Sequence, residues 1–282
     1  MFDRNKSRWS LSQIIDVCKW LRVNTIPGLS QILKRLGISY KKRAISTVLT
    51  STINKRWITL LFAYLKPGMN QRNWYEPEKY VLLYQDEFTY YRQPTLDRDY
   101  EQMGEFQPLA HRSYNSDTAF RGIGALNAIT GQVTYQQSWK IGVSQLTQFY
   151  EAIMLDYPKS TIVYMVEGNW PVHYHPDVLA YLQPQHFEFP IHRPSNWPIE
   201  ASAKVKKKAE KANFPIKILQ LPTYASWANP IEKLWRWLRQ TVIHLHRLSD
   251  DWSTLKQRIW DFILPFKRGS DELLRYVGLL PD

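Results

Sequence analysis

The stretch that decides the fold is KYVLLYQDEFTYYR, residues 79–92, in which apolar and aromatic residues surround Asp86 and Glu87. Side chains of this kind are typical of a strand inside a sheet. Aspartate is disfavoured in the middle of a strand, and an uncompensated carboxylate is expensive to bury. The run therefore predicts a strand on which Asp86 is chemically informative, although Asp86 alone identifies no function.

The pattern downstream of this run alternates between strands and helices. Phe120–Trp139 predicts two strands joined by a turn at Thr130-Gly131, and Ser160–Val166 predicts a central buried strand. Helices are predicted around Leu146–Ile153, Pro176–Leu182, Asn229–Leu245 and Trp252–Phe266, with an irregular, lysine-containing stretch at Gln183–Asn213. We therefore expect an α/β fold, in which a mixed sheet is flanked by helices.

The N-terminal 66 residues predict a separate helical module. Helical patterns over residues 10–22 and 29–36 are separated by a break at Asn24–Gly28 and predict a helix-turn-helix over about residues 10–43. A further helix is predicted over 44–66 and a Pro- and Gly-containing linker over 67–78, so residues 79–282 form the larger domain.

Net charge is concentrated in this module. The chain carries +12, and its first 80 residues hold 15 basic and 4 acidic side chains, a net of +11. A basic segment on a near-neutral body indicates attraction to a polyanion, most commonly nucleic acid. The residues expected to contact DNA follow one helix face and the segment after it: Ser30, Gln31, Lys34, Arg35, Lys41, Lys42 and Arg43.

Composition excludes several other classes of protein. A single cysteine, Cys18, excludes a disulfide scaffold and a cysteine-based zinc site. The longest apolar run, Trp57–Leu65, is too short to span a bilayer. We expect a cytoplasmic, nucleoid-associated prokaryotic protein without a membrane association.

Four blocks of sequence occur in an order that resembles a known family. They are YQDE (84–87), GALN with TG (124–131), GNWPVH (168–173) and LPTY with NPIEKLW (221–235). Together they resemble the DDE transposases of the mariner-related bacterial insertion-sequence group, over roughly residues 79–250. Glu232 lies in the last block; by itself, an acid in a first helical turn is explained by the helix dipole.

The resemblance implies a ribonuclease-H-like domain in which three carboxylates bind two Mg²⁺ or Mn²⁺ ions for phosphoryl transfer. Asp86 matches the first acid and Glu232 the third, so both are expected metal ligands. Asn169 and His173 match polar positions beside the second acid. The resemblance also implies double-stranded DNA as partner and a homodimer on DNA, because two transposon ends must be brought together.

The second acid is missing, because Gly168 occupies its position. Glu167 comes one residue earlier, and in a regular strand a shift of one residue turns a side chain to the opposite face. Glu167 can therefore replace the acid only if the strand ends or bulges there. We expect an impaired or inactive catalytic site.

The spacing before Glu232 also departs from the family. The 63 residues between Gly168 and Glu232 exceed the usual number, so about 183–213 looks like a basic insertion. Its lysines could contact a DNA backbone or form a solvated loop.

These observations leave several functions open. The first is a transposase that binds terminal inverted repeats and cleaves and transfers DNA strands, with activity in doubt. The alternative is a non-catalytic DNA-binding protein derived from a transposase. A third is a ribonuclease-H-like nuclease unrelated to transposition.

Overall fold

The protein was analysed as a computed structural model, which describes residues 11–17, 19, 23–35, 38–39, 80–96, 101–102, 110–158, 162–182, 191, 193–221 and 226–280. The predicted helix over 44–66, the predicted linker over 67–78 and Lys41–Arg43 lie outside these ranges. None of the described helices combines the length and the apolar character needed to cross a membrane. The domain boundaries drawn from sequence stay predictions.

The described residues divide into two compact units. One comprises 1–46, 90–119 and 236–262, and the other 47–89, 120–235 and 263–282.

The second unit is built on a five-stranded mixed sheet. Its strands are β2 (Tyr80–Tyr91), β4 (Ala119–Asn127), β5 (Val133–Ser138), β6 (Ile162–Glu167) and β7 (Ile216–Gln220). Their order in the sheet is β5-β4-β2-β6-β7. Strand β6 pairs in parallel with both β2 and β7, whereas β4 and β5 pair antiparallel. The predictions of a mixed sheet, of a strand at the YQDE run and of a central strand near residue 163 are confirmed.

Helices pack against this sheet through their apolar faces. On α3 (Val143–Asp156), Leu146, Phe149, Tyr150 and Ile153 recur at helical spacing and are fully buried. They share one apolar cluster with Val163 and Met165 of β6. The other helices of this unit are α4 (Pro176–Leu179), α5 (Ala203–Ala212), most of α6 (Ile231–Leu238) and α8 (Asp271–Val277).

The helix α5 corrects the expectation of an irregular stretch at Gln183–Asn213. The Ser202 hydroxyl accepts a hydrogen bond from the Val205 amide at the N-terminus. Asn213 ends the helix in the left-handed conformation, with φ of 35°. Val205, Ala209 and Ala212 pack against the core, and this small apolar face is hidden among lysines in the sequence.

The first unit contains the N-terminal helices α1 (Leu11–Val17) and α2 (Ile26–Arg35) and a two-stranded pairing of β1 (Ile38–Ser39) with β3 (Glu101–Gln102). The helix α2 begins inside the expected break at Asn24–Gly28, because Thr25 caps it: the Thr25 hydroxyl accepts from the Gly28 amide at 3.3 Å. Pro27 is tolerated there, since the first turn needs no amide donor. The unit also holds most of α7 (Trp252–Ile263).

Candidate active site

Asp86 lies on β2 in register with Gly168. The β2–β6 ladder pairs Tyr80 with Ile162 and continues residue by residue to Tyr84 with Val166. The same offset, continued by two residues, sets Asp86 opposite Gly168, one position after β6 ends. Residues opposite each other on neighbouring strands point to the same face of the sheet. A side chain at position 168 would therefore lie beside that of Asp86.

Glu232 is brought towards Asp86 by α6, which is fixed to β2 by two hydrogen bonds. The Trp235 indole Nε1 donates to Asp86 Oδ2 at 3.1 Å. The Asn229 side-chain amide, just before the helix, donates to the Gln85 carbonyl at 2.9 Å. Apolar residues of α6 at positions 231, 234, 235 and 238 are fully buried, so the helix is fixed in its rotation and places Glu232 on its flank.

The proximity of the carboxylates shows in the electrostatics of Asp86. Burial, followed by the negative charges of Glu232 and Glu87, raises the pKa of Asp86 well above its usual range. The Trp235 hydrogen bond opposes this shift only in part. Asp86 therefore lies within electrostatic range of Glu232, and the two negative charges disfavour each other.

Gly168 leaves open space where the third acid is expected. A Cβ atom added to Gly168 would meet no atom within 4 Å, and the residue is not in the left-handed conformation. Its backbone is held in place: the Tyr174 hydroxyl donates to the Gly168 carbonyl at 3.1 Å. The next residue is fixed too, since the Asn169 side-chain amide donates to the Leu221 carbonyl at 2.7 Å. A Cβ atom therefore fits at this position in open space.

Glu167 belongs to a different cluster from Asp86. It pairs in register with Gln220 as the last residue of the regular β6 strand and is completely buried. His173 lies between two acids, with Nδ1 3.2 Å from Glu167 and Nε2 3.1 Å from Glu87. Neighbouring residues of a strand face opposite ways, so Glu87 and Glu167 lie on the face of the sheet turned away from Asp86. The use of Glu167 as a replacement acid stays a prediction.

Within this buried cluster, His173 and Glu167 shift each other's pKa. Burial lowers the pKa of His173, but attraction to Glu167 and Glu87 outweighs it and raises the pKa to about 9. Burial raises the pKa of Glu167 to about 7, against the opposing effect of the His173 charge. The buried Glu167 carboxylate is compensated first by the charge of His173 and then by the Tyr150 side chain, both of which lower its pKa. The His173 ring thus bridges an acid of β2, Glu87, and an acid of β6, Glu167.

The residues present do not fit a two-ion metal centre. Within the described residues, no three His, Cys, Asp or Glu side chains are arranged to hold a metal ion. Asp86 and Glu232 supply two carboxylates. Gly168 occupies the place of the third acid and has no side chain that could bind a metal ion. Hard divalent cations require several oxygen ligands, so the set is one acid short.

The predicted DNA-contacting residues that the structure describes are exposed on α2. They are Ser30, Gln31, Lys34 and Arg35. Leu29 is buried on the opposite side, which confirms an amphipathic helix.

Sequence reasoning missed the roles of Glu87, Trp235 and Asn229. Glu87 follows Asp86 directly and could have been assigned to the opposite face from strand periodicity. The hydrogen bonds of Trp235 and Asn229 to β2 had no signal in the sequence, because they cross 149 and 144 positions of the chain.

One family model matches more than half of the chain. Residues 81–256 match the model of the family described as DDE superfamily endonuclease. An insertion element IS630 uncharacterized 39 kDa protein of Shigella sonnei is 19% identical over 199 residues, which are 70% of this chain and 49% of that protein. The chain thus spans about half the length of this curated relative.

Solved structures of Mos1 mariner transposase complexes are also similar. The Mos1 mariner paired-end complexes with Mg and with Mn are each 12% identical, with TM-scores of 0.48 and 0.47. The matches cover 99% of this chain and 77% of each of those chains.

Proposed function

The chain belongs to the DDE superfamily of endonucleases, and on that premise we propose that it is a mariner-type DNA transposase whose strand-cleavage site is impaired at Gly168. The observation that carries this proposal is the β2–β6 register, which places Gly168 opposite Asp86 when it is continued by two residues, together with the open space at Gly168. Two acids converge, and the third is absent from a position that would accept it without strain.

Binding of double-stranded DNA is assigned to the N-terminal helices. The helices α1 and α2 pack together and act as a helix-turn-helix, with α2 as the recognition helix. Its exposed Gln31, Lys34 and Arg35 can donate hydrogen bonds to bases and phosphates. The DNA consists of terminal inverted repeats, and a homodimer brings two such ends together. The protein is accordingly nucleoid-associated in the cell.

The chemistry expected of the superfamily is cleavage and joining of DNA strands at Mg²⁺ or Mn²⁺ ions held by carboxylates. In this chain Asp86 and Glu232 would supply two of those ligands. With two of three carboxylates, this donor set is incomplete. Two hydrogen bonds fix the position of the Asp86 carboxylate relative to α6. Trp235 orients the carboxylate, and Asn229 connects α6 to β2.

A cleavage assay on duplexes taken from the two DNA segments that flank the gene, where the proposal places the inverted repeats, tests this proposal. The wild-type chain is expected to bind the repeats but to leave them uncut in Mg²⁺ or Mn²⁺. Gly168→Asp restores the third acid and is expected to nick the repeat ends. Gly168→Asn is the matched control, since it has the same shape without the charge, and it should remain inactive.

Full metal-dependent cleavage by the wild-type chain would contradict the impaired site. A folded Gly168→Asp variant that binds the repeats and never cuts them would favour the second candidate, a non-catalytic DNA-binding protein. That candidate is supported by the ion pair of Glu167 with His173, which occupies the acid next to Gly168 in the chain.

A further inference from the structure

The helix α5 carries an unusual concentration of positive charge. Its ten residues, AKVKKKAEKA, contain five lysines and one glutamate, a net of +4. All six charged side chains are exposed, while Ala209 is buried and Val205 and Ala212 pack against the core. The apolar face attaches the helix to the domain, so its charges are presented on a fixed support.

The five lysines fall into two groups. Lys206 lies 2.7 Å from Glu200, and Lys208 lies 4.0 Å from Glu151 of α3 and above the Tyr181 ring. These two lysines flank the packed face and have neighbours within the domain.

The other three lysines form a stripe on the outer side of the helix. At 100° per residue, Lys204, Lys207 and Lys211 fall within about 60° of one another. No acid among the described residues lies within ion-pair distance of any of the three. We call these three residues the lysine stripe.

We propose that the lysine stripe is a second contact surface for the phosphate backbone of duplex DNA. The stripe covers eight residues from Lys204 to Lys211, and the seven steps between them amount to about 10 Å along the helix axis. Three ammonium groups spread over this length can reach successive phosphates of one DNA strand.

Charge is almost all that the stripe offers. Apart from Ala203, the exposed residues of α5 are all charged. A protein partner would require an apolar centre for its interface, whereas a uniform polyanion requires only cations. The chemistry therefore selects a nucleic-acid backbone, read without regard to base sequence.

The surface is separate from the carboxylate site. The helix α5 packs into the same apolar cluster as Phe149 and Tyr150 of α3. That cluster includes Leu83 of β2, which points to the face of the sheet opposite Asp86 by strand periodicity. The phosphates at the stripe thus belong to a different DNA segment from the one at Asp86, such as a flanking or target duplex.

The test measures how DNA binding by the full chain depends on salt. This inference rests on the proposed DNA-binding function. The probe is a duplex of about 30 base pairs that lacks the inverted repeat. It is titrated at about 50 to 200 mM NaCl, because DNA affinity changes strongly with salt over this range. The test variant replaces Lys204, Lys207 and Lys211 by Gln. The matched control replaces Lys206 and Lys208, which have local acidic neighbours, by Gln.

Each phosphate contact contributes about 0.9 to the slope of log affinity against log salt. Loss of three contacts should therefore flatten the slope by about 2.7, so that the wild-type chain loses about 40-fold more affinity than the triple variant over this fourfold range of salt. The control should keep most of the wild-type slope. Circular dichroism verifies that both variants are folded.

If the triple variant kept the wild-type slope of log affinity against log salt, the lysine stripe would not contact DNA. If the control lost as much slope as the triple variant, the effect would come from the net charge of the protein and the proposal would be overturned as well. Capture of an acidic protein with unchanged DNA binding would overturn it in favour of a protein partner. A wild-type chain that binds neither this duplex nor the inverted repeat would refute the proposed function itself, and the stripe with it.

Discussion

Replacement of Glu167 by Gln should remove a pH dependence that is built into the buried cluster of Glu87, His173 and Glu167. In the folded protein, attraction to the two acids outweighs the effect of burial and raises the pKa of His173 from 6.5 to about 9. The folded state therefore holds a proton that the unfolded chain releases at lower pH. This contribution to stability is fully present below pH 6.5 and is lost as the pH rises through about 9.

The magnitude follows from the size of the shift. One pKa unit corresponds to 1.36 kcal/mol, so a rise from 6.5 to about 9 is worth about 3 kcal/mol of unfolding free energy. Glu167→Gln removes the acid that attracts His173 most strongly and leaves the burial that lowers the pKa. The free energy of unfolding of this variant should fall by about 1 kcal/mol or less over the same range of pH, since Glu87 is then the acid that remains beside the imidazole.

Urea unfolding at pH values from 6.5 to 9, followed by tryptophan fluorescence, measures how the free energy of unfolding depends on pH in the wild type and in the variant. Glu151→Gln is the control, since Glu151 is an exposed acid on α3 and its loss should leave the slope unchanged. If Glu167→Gln kept the wild-type dependence on pH, His173 would not be protonated by its neighbours and the assignment of the cluster would be wrong.

Other predictions concern the packing of the site. Gly124→Ala should destabilise the fold by about 1–3 kcal/mol in urea unfolding, because its Cβ would lie 2.6 Å from the Trp235 ring. Gly168→Ala, the matched control, meets no atom and should be neutral or stabilising by up to about 1 kcal/mol; an equal loss in both variants would contradict the open space. Asp86→Asn should raise the melting temperature at pH 7, because burial and neighbouring carboxylates raise the pKa of Asp86 and its charge opposes folding. The gain should shrink as the pH falls through that pKa, and a lower melting temperature at pH 7 would refute the repulsion. Asn229→Ala should cost about 1–3 kcal/mol in urea unfolding, because a buried carbonyl of β2 loses its donor, whereas a neutral result would show that this tie is dispensable.

Strand and helix periodicity was sufficient for the framework of the sheet. Residues 79–92 and 160–166 were recognisable because buried strands have dense apolar sequences, and α3 because its apolar residues recur at helical spacing. The order of the motifs indicated that Asp86 and Glu232 belong together, and the structure brings them within electrostatic reach.

What remained hidden depended on the register between strands. The sequence gives no sign that His173 bridges Glu87 and Glu167, because this needs the parallel pairing of β2 with β6 and the short helical turn over Pro171–Tyr174. The helix α5 was missed because lysines obscure its narrow apolar face, although the spacing of Val205, Ala209 and Ala212 was a usable signal.

The central claim is that Asp86, Glu232 and position 168 meet at one site that lacks only its third carboxylate. Calorimetric titration of Mn²⁺ into the full chain tests it most directly. Gly168→Asp should bind Mn²⁺ at least about tenfold more tightly than the wild-type chain, because carboxylate number governs affinity for hard cations. Gly168→Asn should resemble the wild type, and adding Asp86→Asn to Gly168→Asp should abolish the gain. A folded Gly168→Asp variant with no more affinity for Mn²⁺ than Gly168→Asn would contradict the account.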